Sequence, residues 1–336
     1  VIDTRRLRTL RAVADHGTVT AAAATLHLTP SAVSQQLVAL EHEVGHRLFT
    51  RDGRGVRLTA VGTIMLRHAD EVLAQLERAE AEVASYAGGE AGEVTVACFA
   101  TAISAVLAPA VAALRLKAPA LQVRVRDVEG DQGLAMLLDE RADLAVVVEY
   151  RGWPDAADRR LSRVPLYAEP FDLVLPDDHP LAAGSSTTRP SDEPVTLAGL
   201  EGEPVAPADL ESAPGTLAEP ESEPVALADL AGETWIGPHP GNPIRDVIAF
   251  ACEQAGFTPE FAHCSDDFRA VVALVGAGAG IALVPRLALR DMTLTGVTVR
   301  PAPGPERRVF AAVRRGAAAH PLLRQVLDTL RAIAPA

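Results

Sequence analysis

The residues that can do chemistry in this chain are hydroxyls, amides and guanidiniums at helical and hairpin spacings, not nucleophiles beside bases. Ser31, Ser34, Gln35 and Val38 fall on one face of a helix that opens at Thr29-Pro30, an N-cap followed by proline at the first helical position. Val33, Leu37 and Leu40 take the opposite face. Shortly after, Arg51-Asp52-Gly53-Arg54-Gly55-Val56-Arg57 forms a tip between two strand-like pieces, and arginines on a glycine-rich hairpin suit phosphates or a narrow minor groove. The nine histidines show no H-E-x-x-H or paired-ligand spacing, and no serine sits in G-x-S-x-G. No catalytic residue, metal site or cofactor is therefore expected. The run Gly276-Ala277-Gly278-Ala279-Gly280 follows a helix and precedes a strand, the reverse of a phosphate-binding fingerprint.

The elements that position these groups are readable from periodicity. Asp3 can cap a first helix with Leu7, Leu10, Val13 and Ala14 on one face, and Thr18 can cap a short second helix, Thr20–Leu26. With the third helix, about Pro30 to Glu43, this is a helix-turn-helix, and the hairpin after it reads as a wing. A long helix follows from Thr59 to about Tyr86. Its Met65, Ala69, Val72, Leu76, Ala79 and Val83 alternate steps of four and three, a heptad spacing that points to pairing with an identical copy. Gly88-Gly89 ends it and makes a hinge.

At 336 residues the chain has room for about two domains of the usual ~150 residues. The net charge of −13 does not advertise nucleic-acid binding, but the charge is uneven: residues 1–66 carry +3 and residues 185–233 carry −10. Three widely spaced cysteines, Cys98, Cys252 and Cys264, give neither a disulfide framework nor a metal knuckle and fit a reduced cytoplasm. No basic-then-apolar leader opens the sequence. The uncharged run Val94–Leu114 is long enough to cross a membrane, yet it divides better into a strand, Val94–Phe99, and a helix with Ile103, Val106, Leu107, Ala110, Val111 and Leu114 on one face. No membrane partner is expected. Lysine occurs once, at Lys117, against thirty arginines, which suggests a GC-rich bacterial genome. Residues 193–232 repeat every ten positions, with Pro194, Pro204, Pro214 and Pro224 in register; such short acidic copies cannot close a core and fit duplication of a surface loop.

Residues 7–66 carry A-A-x-L-H-L-T-P-S-A-V-S-Q-Q-L at 23–37, L-x-x-L-E-x-E-V-G-x-R-L-F-x-R at 37–51 and G-R-G-V-R-L-T-A-V-G at 53–62. This resembles the winged helix-turn-helix of LysR-type transcriptional regulators, departing at Val38 and Ala39, where the family often places charged residues. The resemblance implies a dimer, or dimer of dimers, whose third helices enter successive major grooves of an interrupted inverted repeat in promoter DNA. It implies that Thr29, Ser31, Ser34 and Gln35 face DNA and that Arg51 and Arg54 serve as wing contacts. Gln can bond an adenine edge bidentately, and Ser and Thr can serve phosphates or bases. RNA polymerase is a further partner that the resemblance implies.

From Glu93 on, strands alternate with helices in two α/β lobes joined by crossover strands. With A-D-L-A at 142–145, D-D-H-P-L-A at 177–182 and V-G-A-G-A-G-I-A-L-V-P at 275–285, this body resembles the same family's effector domain, which is like type 2 periplasmic binding proteins. The fold class expected is α/β with an α-rich winged helix-turn-helix at the N-terminus. The expected domains are the head at 1–58, a linker and dimerisation helix at 59–87, a hinge at 88–92 and the effector domain at 93–336. Within it lobe I covers about 93–165 and 269–336, lobe II about 166–268, and the acidic insert about 185–230. Ligands in such folds sit at strand ends against helix N-termini. Thr101 and Ala102, with free amides and a hydroxyl suited to a carboxylate, are the first candidates, followed by Glu149, Asn242, Ser265 and Asp267. Helix capping is the alternative for Thr101 and Asp267. The expected function is DNA-binding transcriptional regulation modulated by a small, anionic effector; the alternative is a ligand-sensing solute-binding protein with a vestigial head.

Overall fold

Asp3 accepts a hydrogen bond from the Arg5 amide at 2.9 Å and so opens α1 (Thr4–His16), which Gly17 ends in the left-handed conformation. Thr18 caps α2 (Val19–Thr25) through the Ala21 amide, and Thr29 caps α3 (Pro30–Val44) through the Ala32 amide. This computed structural model describes all residues except 1, 54, 87–90, 130, 150–157, 159, 183–223, 291 and 336. β1 (Phe49–Asp52) and β2 (Gly55–Leu58) pair antiparallel as the wing, and α4 (Ala60–Tyr86) leads away from it.

Two apolar clusters hold the head. Leu7, Leu10, Leu40, Leu48, Ala69 and Leu73 form one, and Ala12, Val13, Ala22, Ala23, Val33 and Leu37 form the other. The first joins α1, α3 and the wing to the first turns of α4, so the long helix is part of the head core. Thr59 fixes its start: the hydroxyl donates to the Arg47 carbonyl at 2.8 Å and accepts from the Gly62 amide at 2.9 Å.

The chain forms two compact units. One comprises Val1–Ala168, Gly241–Asp246 and Arg307–Ala336. Beyond the head and α4 it contains β3 (Gly92–Cys98), α5 (Ala100–Ala102), a π-helical turn (Ile103–Leu107), α6 (Ala108–Lys117), β4 (Leu121–Asp127), α7 (Gln132–Leu138) and β5 (Leu144–Glu149). β4, β3 and β5 run parallel, and the end of β10 (Val297–Arg314) closes antiparallel on β5 with Phe310 opposite Val147. α11 (Pro321–Ile333) buries Leu322, Leu323, Val326, Leu327 and Leu330. The apolar run singled out from the sequence is a strand and a helix. That helix, Ala100–Lys117, is long and apolar enough to cross a membrane by composition, yet it buries Val106, Leu107, Ala110 and Leu114 in this unit. Pro109 lacks the N–H that would close the preceding turn, and the π-helical turn before it accommodates the ring.

The second unit comprises Glu169–Pro240 and Val247–Glu306. Its elements are the second half of β6 (Leu161–Pro176), β7 (Thr234–Gly237), most of α8 (Pro243–Gln254), β8 (Glu260–Cys264), α9 (Phe268–Gly276), β9 (Ala282–Pro285), α10 (Arg286–Leu289) and the start of β10. β7 and β8 run parallel, and β6 pairs antiparallel with β9. Trp235 is fully buried at the centre, with Phe257 and Phe261 ring centroids at 6.1 and 6.4 Å. Buried Asp172 is neutralised by a two-pronged pair with Arg286 at 2.7 and 2.9 Å. Apolar alternation alone marks only Phe171–Leu175, Val297–Arg300 and Val309–Val313, yet β6 and β10 run unbroken from one unit to the other. Most of the acidic repeat lies outside the described residues. Its last copy is built in: Val225 donates to the Pro301 carbonyl, and Val225, Leu227 and Leu230 are buried.

Candidate functional site

Thr29, Ser31, Ser34, Gln35 and Val38 are all exposed, and the last four share one face of α3. From Thr29 to Leu40 the chain has no charged side chain. The acids that follow are turned inward or paired. Glu41 accepts from the Leu48 and Phe49 amides at 2.7 and 3.3 Å, and Glu43 pairs with Arg6 of α1. That pairing holds the Glu43 carboxyl below the usual carboxylate range. Gln36, next to the outward glutamine, is held by the Thr9 hydroxyl. The result is a neutral, donor- and acceptor-rich face from which negative charge has been removed. Sequence periodicity located the face but gave no signal for the roles of Glu41 and Glu43, whose partners lie in other elements.

The wing is pinned to the turn before α2: the Val56 amide donates to the Gly17 carbonyl at 2.9 Å. Arg51 is exposed on β1, and Arg57 pairs with Asp52 at 3.5 Å on the exposed hairpin. Arg54 lies outside the described residues.

The heptad stripe of α4 requires a correction. Ala69 is wholly buried in the head core and Met65 is half-buried against it, because the first turns of α4 lie over α1. Ala69 cannot face a second chain, and Met65 is turned partly into the head. Val72, Leu76, Ala79 and Val83 are exposed, and Ile64, 53% exposed, lies on the solvent side at the head end.

Among the effector candidates, the structure supplies an unforeseen partner. Arg307, 1% exposed, donates from Nη1 to the Thr101 hydroxyl at 2.9 Å, and its guanidinium carbon lies 5.0 Å from the Phe99 ring centroid. The two residues are 206 positions apart, so no local pattern could reveal them. A hydroxyl that accepts from a guanidinium directs its own proton to another acceptor. Ala102 is corrected: its side chain is wholly buried and its amide bonds the Phe99 carbonyl at 3.1 Å, so that amide is not free for a ligand. Glu149 pairs with Arg163 at 3.7 Å and lines a cavity of about 580 Å3 with Tyr167, Arg308 and Phe310, walls that do not include Phe99–Ala102. Asn242 is buried and accepts from the Ile244 amide at 2.9 Å, a capping bond. Asp267 caps α9 through the Arg269 amide, and Ser265 accepts from the Asp267 amide at 3.2 Å. The capping alternative thus describes Asp267, while Thr101 makes no capping bond among the described residues. Among the described residues no three His, Cys, Asp or Glu side chains converge as a metal site.

Residues 4–63 match the family model for the bacterial regulatory helix-turn-helix protein of the lysR family, and residues 87–206 and 205–335 match that for the LysR substrate binding domain. The chain belongs to the LysR family of transcriptional regulators. Among its relatives are the transcriptional regulator AlsR of Bacillus subtilis, 29% identical over 87% of this chain and 83% of that protein, and the hydrogen peroxide-inducible genes activator of Pectobacterium carotovorum, 26% identical over 97% and 95%. The fold matches full-length OxyR from Pseudomonas aeruginosa, with a TM-score of 0.61 at 20% identity over 99% of this chain and 97% of that one. It also matches full-length CbnR complexed with its target DNA, with a TM-score of 0.51 at 22% identity, over 99% and 100%. The LysR family is one of regulators, not enzymes.

In this LysR-family chain the thiols differ sharply. Cys98 and Cys252 are buried, and burial pushes the Cys98 thiol far above its ordinary range and the Cys252 thiol up to about 12. Cys264 is exposed. Titration of the native protein with an aromatic disulfide reagent is expected to consume one thiol per chain rapidly, at Cys264. The other two should react only on unfolding; fast reaction of all three would contradict this burial.

A half-buried acid on α4, Asp70, gives a pH signature. Asp70 has an oxygen without a hydrogen-bond partner, and burial raises its pKa to about 6 despite Arg11 and Arg160 nearby; Asp15 and Asp158 add to the rise. A folded-state value above the ordinary ~3.9 means that this group's stabilising contribution is present below about pH 4 and is lost as pH rises through about 6. Asp70→Asn is therefore expected to stabilise the protein at pH 7.5 by about 1–2 kcal/mol, discounted for partial exposure, and to be neutral near pH 4. Thermal melting at both pH values checks this, and a loss of stability at pH 7.5 would reverse the sign.

Proposed function

We propose that this LysR-type regulator reads an interrupted inverted repeat through Thr29, Ser31, Ser34 and Gln35 of each α3, with Arg51 and Arg54 on the flanking backbone. The observation that carries this reading is the uncharged, exposed face of α3, with Glu41 and Glu43 bonded away from it. Two copies pair along Val72, Leu76, Ala79 and Val83 of α4, as a dimer or dimer of dimers, in the cytoplasm, and act with RNA polymerase. The domain plan is the one expected above, with α4 shared between head and linker. The effector is small and presents an anionic or carbonyl oxygen to Thr101. The support is the Arg307 donation, which leaves the threonine proton to be given to an acceptor.

The test is footprinting on the DNA upstream of the protein's own gene, across a salt series with a scrambled competitor. Protection of an inverted repeat, with affinity falling steeply in salt, is the expected result. Binding no tighter than to the competitor, with or without metabolite extracts, would overturn it.

A further inference from the structure

The head is tied to the effector-binding part of its own chain by a polar seam along α1. Glu140 accepts from Arg11 at 2.9 Å and has Arg8 at 3.6 Å; His16 meets Asp139 at 3.0 Å and the Thr25 hydroxyl at 3.1 Å; Arg160 donates to Asp15 at 2.6 Å. Asp139 is the C-cap of α7 and Glu140 follows it, at φ +60°, a left-handed conformation uncommon for a side chain of this kind. The segment is held there from behind. Arg314 donates to the Leu137 and Ala142 carbonyls at 3.0 and 2.8 Å and to Glu77 of α4 at 2.8 Å. The other end of α7 follows Val128, whose amide bonds the Cys98 carbonyl, immediately before the Phe99–Ala102 segment assigned to the effector. The chain just before α7 is therefore bonded beside the candidate effector segment, and the residues just after α7 carry the head contact.

We propose that this seam is a regulatory latch: α7 holds the DNA-binding head in one orientation through Asp139 and Glu140 and releases it when α7 shifts. The regulatory part rests on the effector reading above. Partly exposed polar contacts are individually weak, so such a seam can both hold and let go. A head held in one orientation is pre-organised for two successive grooves, and release removes that advantage.

The experiment places spin labels on His46→Cys in the head and Arg115→Cys in α6, in full-length Cys264→Ser protein diluted with unlabelled chains. The parent is expected to give one narrow distance population. Glu140→Arg should broaden it, with Glu140→Gln as the milder variant if the reversal does not fold, and the Arg11→Glu/Glu140→Arg double swap should restore it. A distribution that stays narrow in both Glu140 variants, or no recovery in the double swap, overturns the latch. Gly133→Val tests α7 itself: a β-carbon there stands 3.3 Å from Val147, so the larger side chain pushes α7 off the sheet without touching the seam. It should broaden the distribution too, and a narrow one removes α7 from the proposal. Affinity for the upstream duplex should fall at least five-fold in Glu140→Arg and recover in the double swap; unchanged affinity would make the seam merely structural. Failure of every protein, parent included, to bind that duplex would count against the DNA reading and leave the distance result to decide the latch.

Discussion

Gly62→Ala is expected to destroy specific DNA binding while the effector-binding part of the chain keeps its fold. A glycine-to-alanine change inside a helix normally stabilises by ~1 kcal/mol. Here the added β-carbon would sit 2.1 Å from the Leu48 carbonyl oxygen and 3.0 Å from the Leu58 side chain. The obstacle is backbone, not the free end of a side chain. Leu48 is wholly buried, its amide is held by Glu41, and its carbonyl accepts from Thr59 at the start of α4. None of these can yield without moving α4 away from Leu7, Leu10 and Leu40. Overpacking of this kind costs about 3 kcal/mol or more, which outweighs the helical gain and is a large share of a small domain's ~5–10 kcal/mol. Calorimetry should show an early transition for the head, and footprinting should show no protection. Melting like the parent's, with affinity within two-fold, would mean that α4 has another way to enter the head.

The head was legible in the sequence because its determinants are local. Caps at Asp3, Thr18 and Thr29 and the period of Leu7, Leu10 and Val13 lie within single elements, and each formed where it was read. The stripe of α4 shows the limit of such reading. Met65 and Ala69 fit the heptad as well as Leu76 does, and only the packing of α1 over the first turns decides which side they face. The crossover strands were expected, but their unbroken length was not legible, for a different reason. Pro301, Pro303, Gly304 and Pro305 interrupt the apolar alternation of β10 and read as a loop, yet a strand that crosses between units can carry prolines where no ladder bond is required. The effector segment was half legible. A strand end meeting a helix marks Thr101, but its Arg307 partner arrives from a distant strand, and nothing in the periodicity of either announces the pair.

Gln35→Ala is the change that separates reading DNA from merely adhering to it. Gln35 is exposed, forms no side-chain hydrogen bond among the described residues, and sits one turn past the start of α3. Its loss should leave melting unchanged. A bidentate glutamine–adenine contact is worth ~1–3 kcal/mol of discrimination, roughly five- to 150-fold. In the proposed dimer both half-sites lose it, so operator affinity should fall by about thirty-fold or more while affinity for random duplex stays the same. Arg51→Ala should do the opposite: both affinities weaken together, and the slope of log affinity against log salt becomes shallower by about one per chain. The pair of variants is decisive because charge and specificity are carried by different elements, a neutral helix face and a cationic hairpin. Should Gln35→Ala weaken random and operator DNA equally, the α3 face is not reading bases, and sequence discrimination must lie in the wing or in the shape of the DNA.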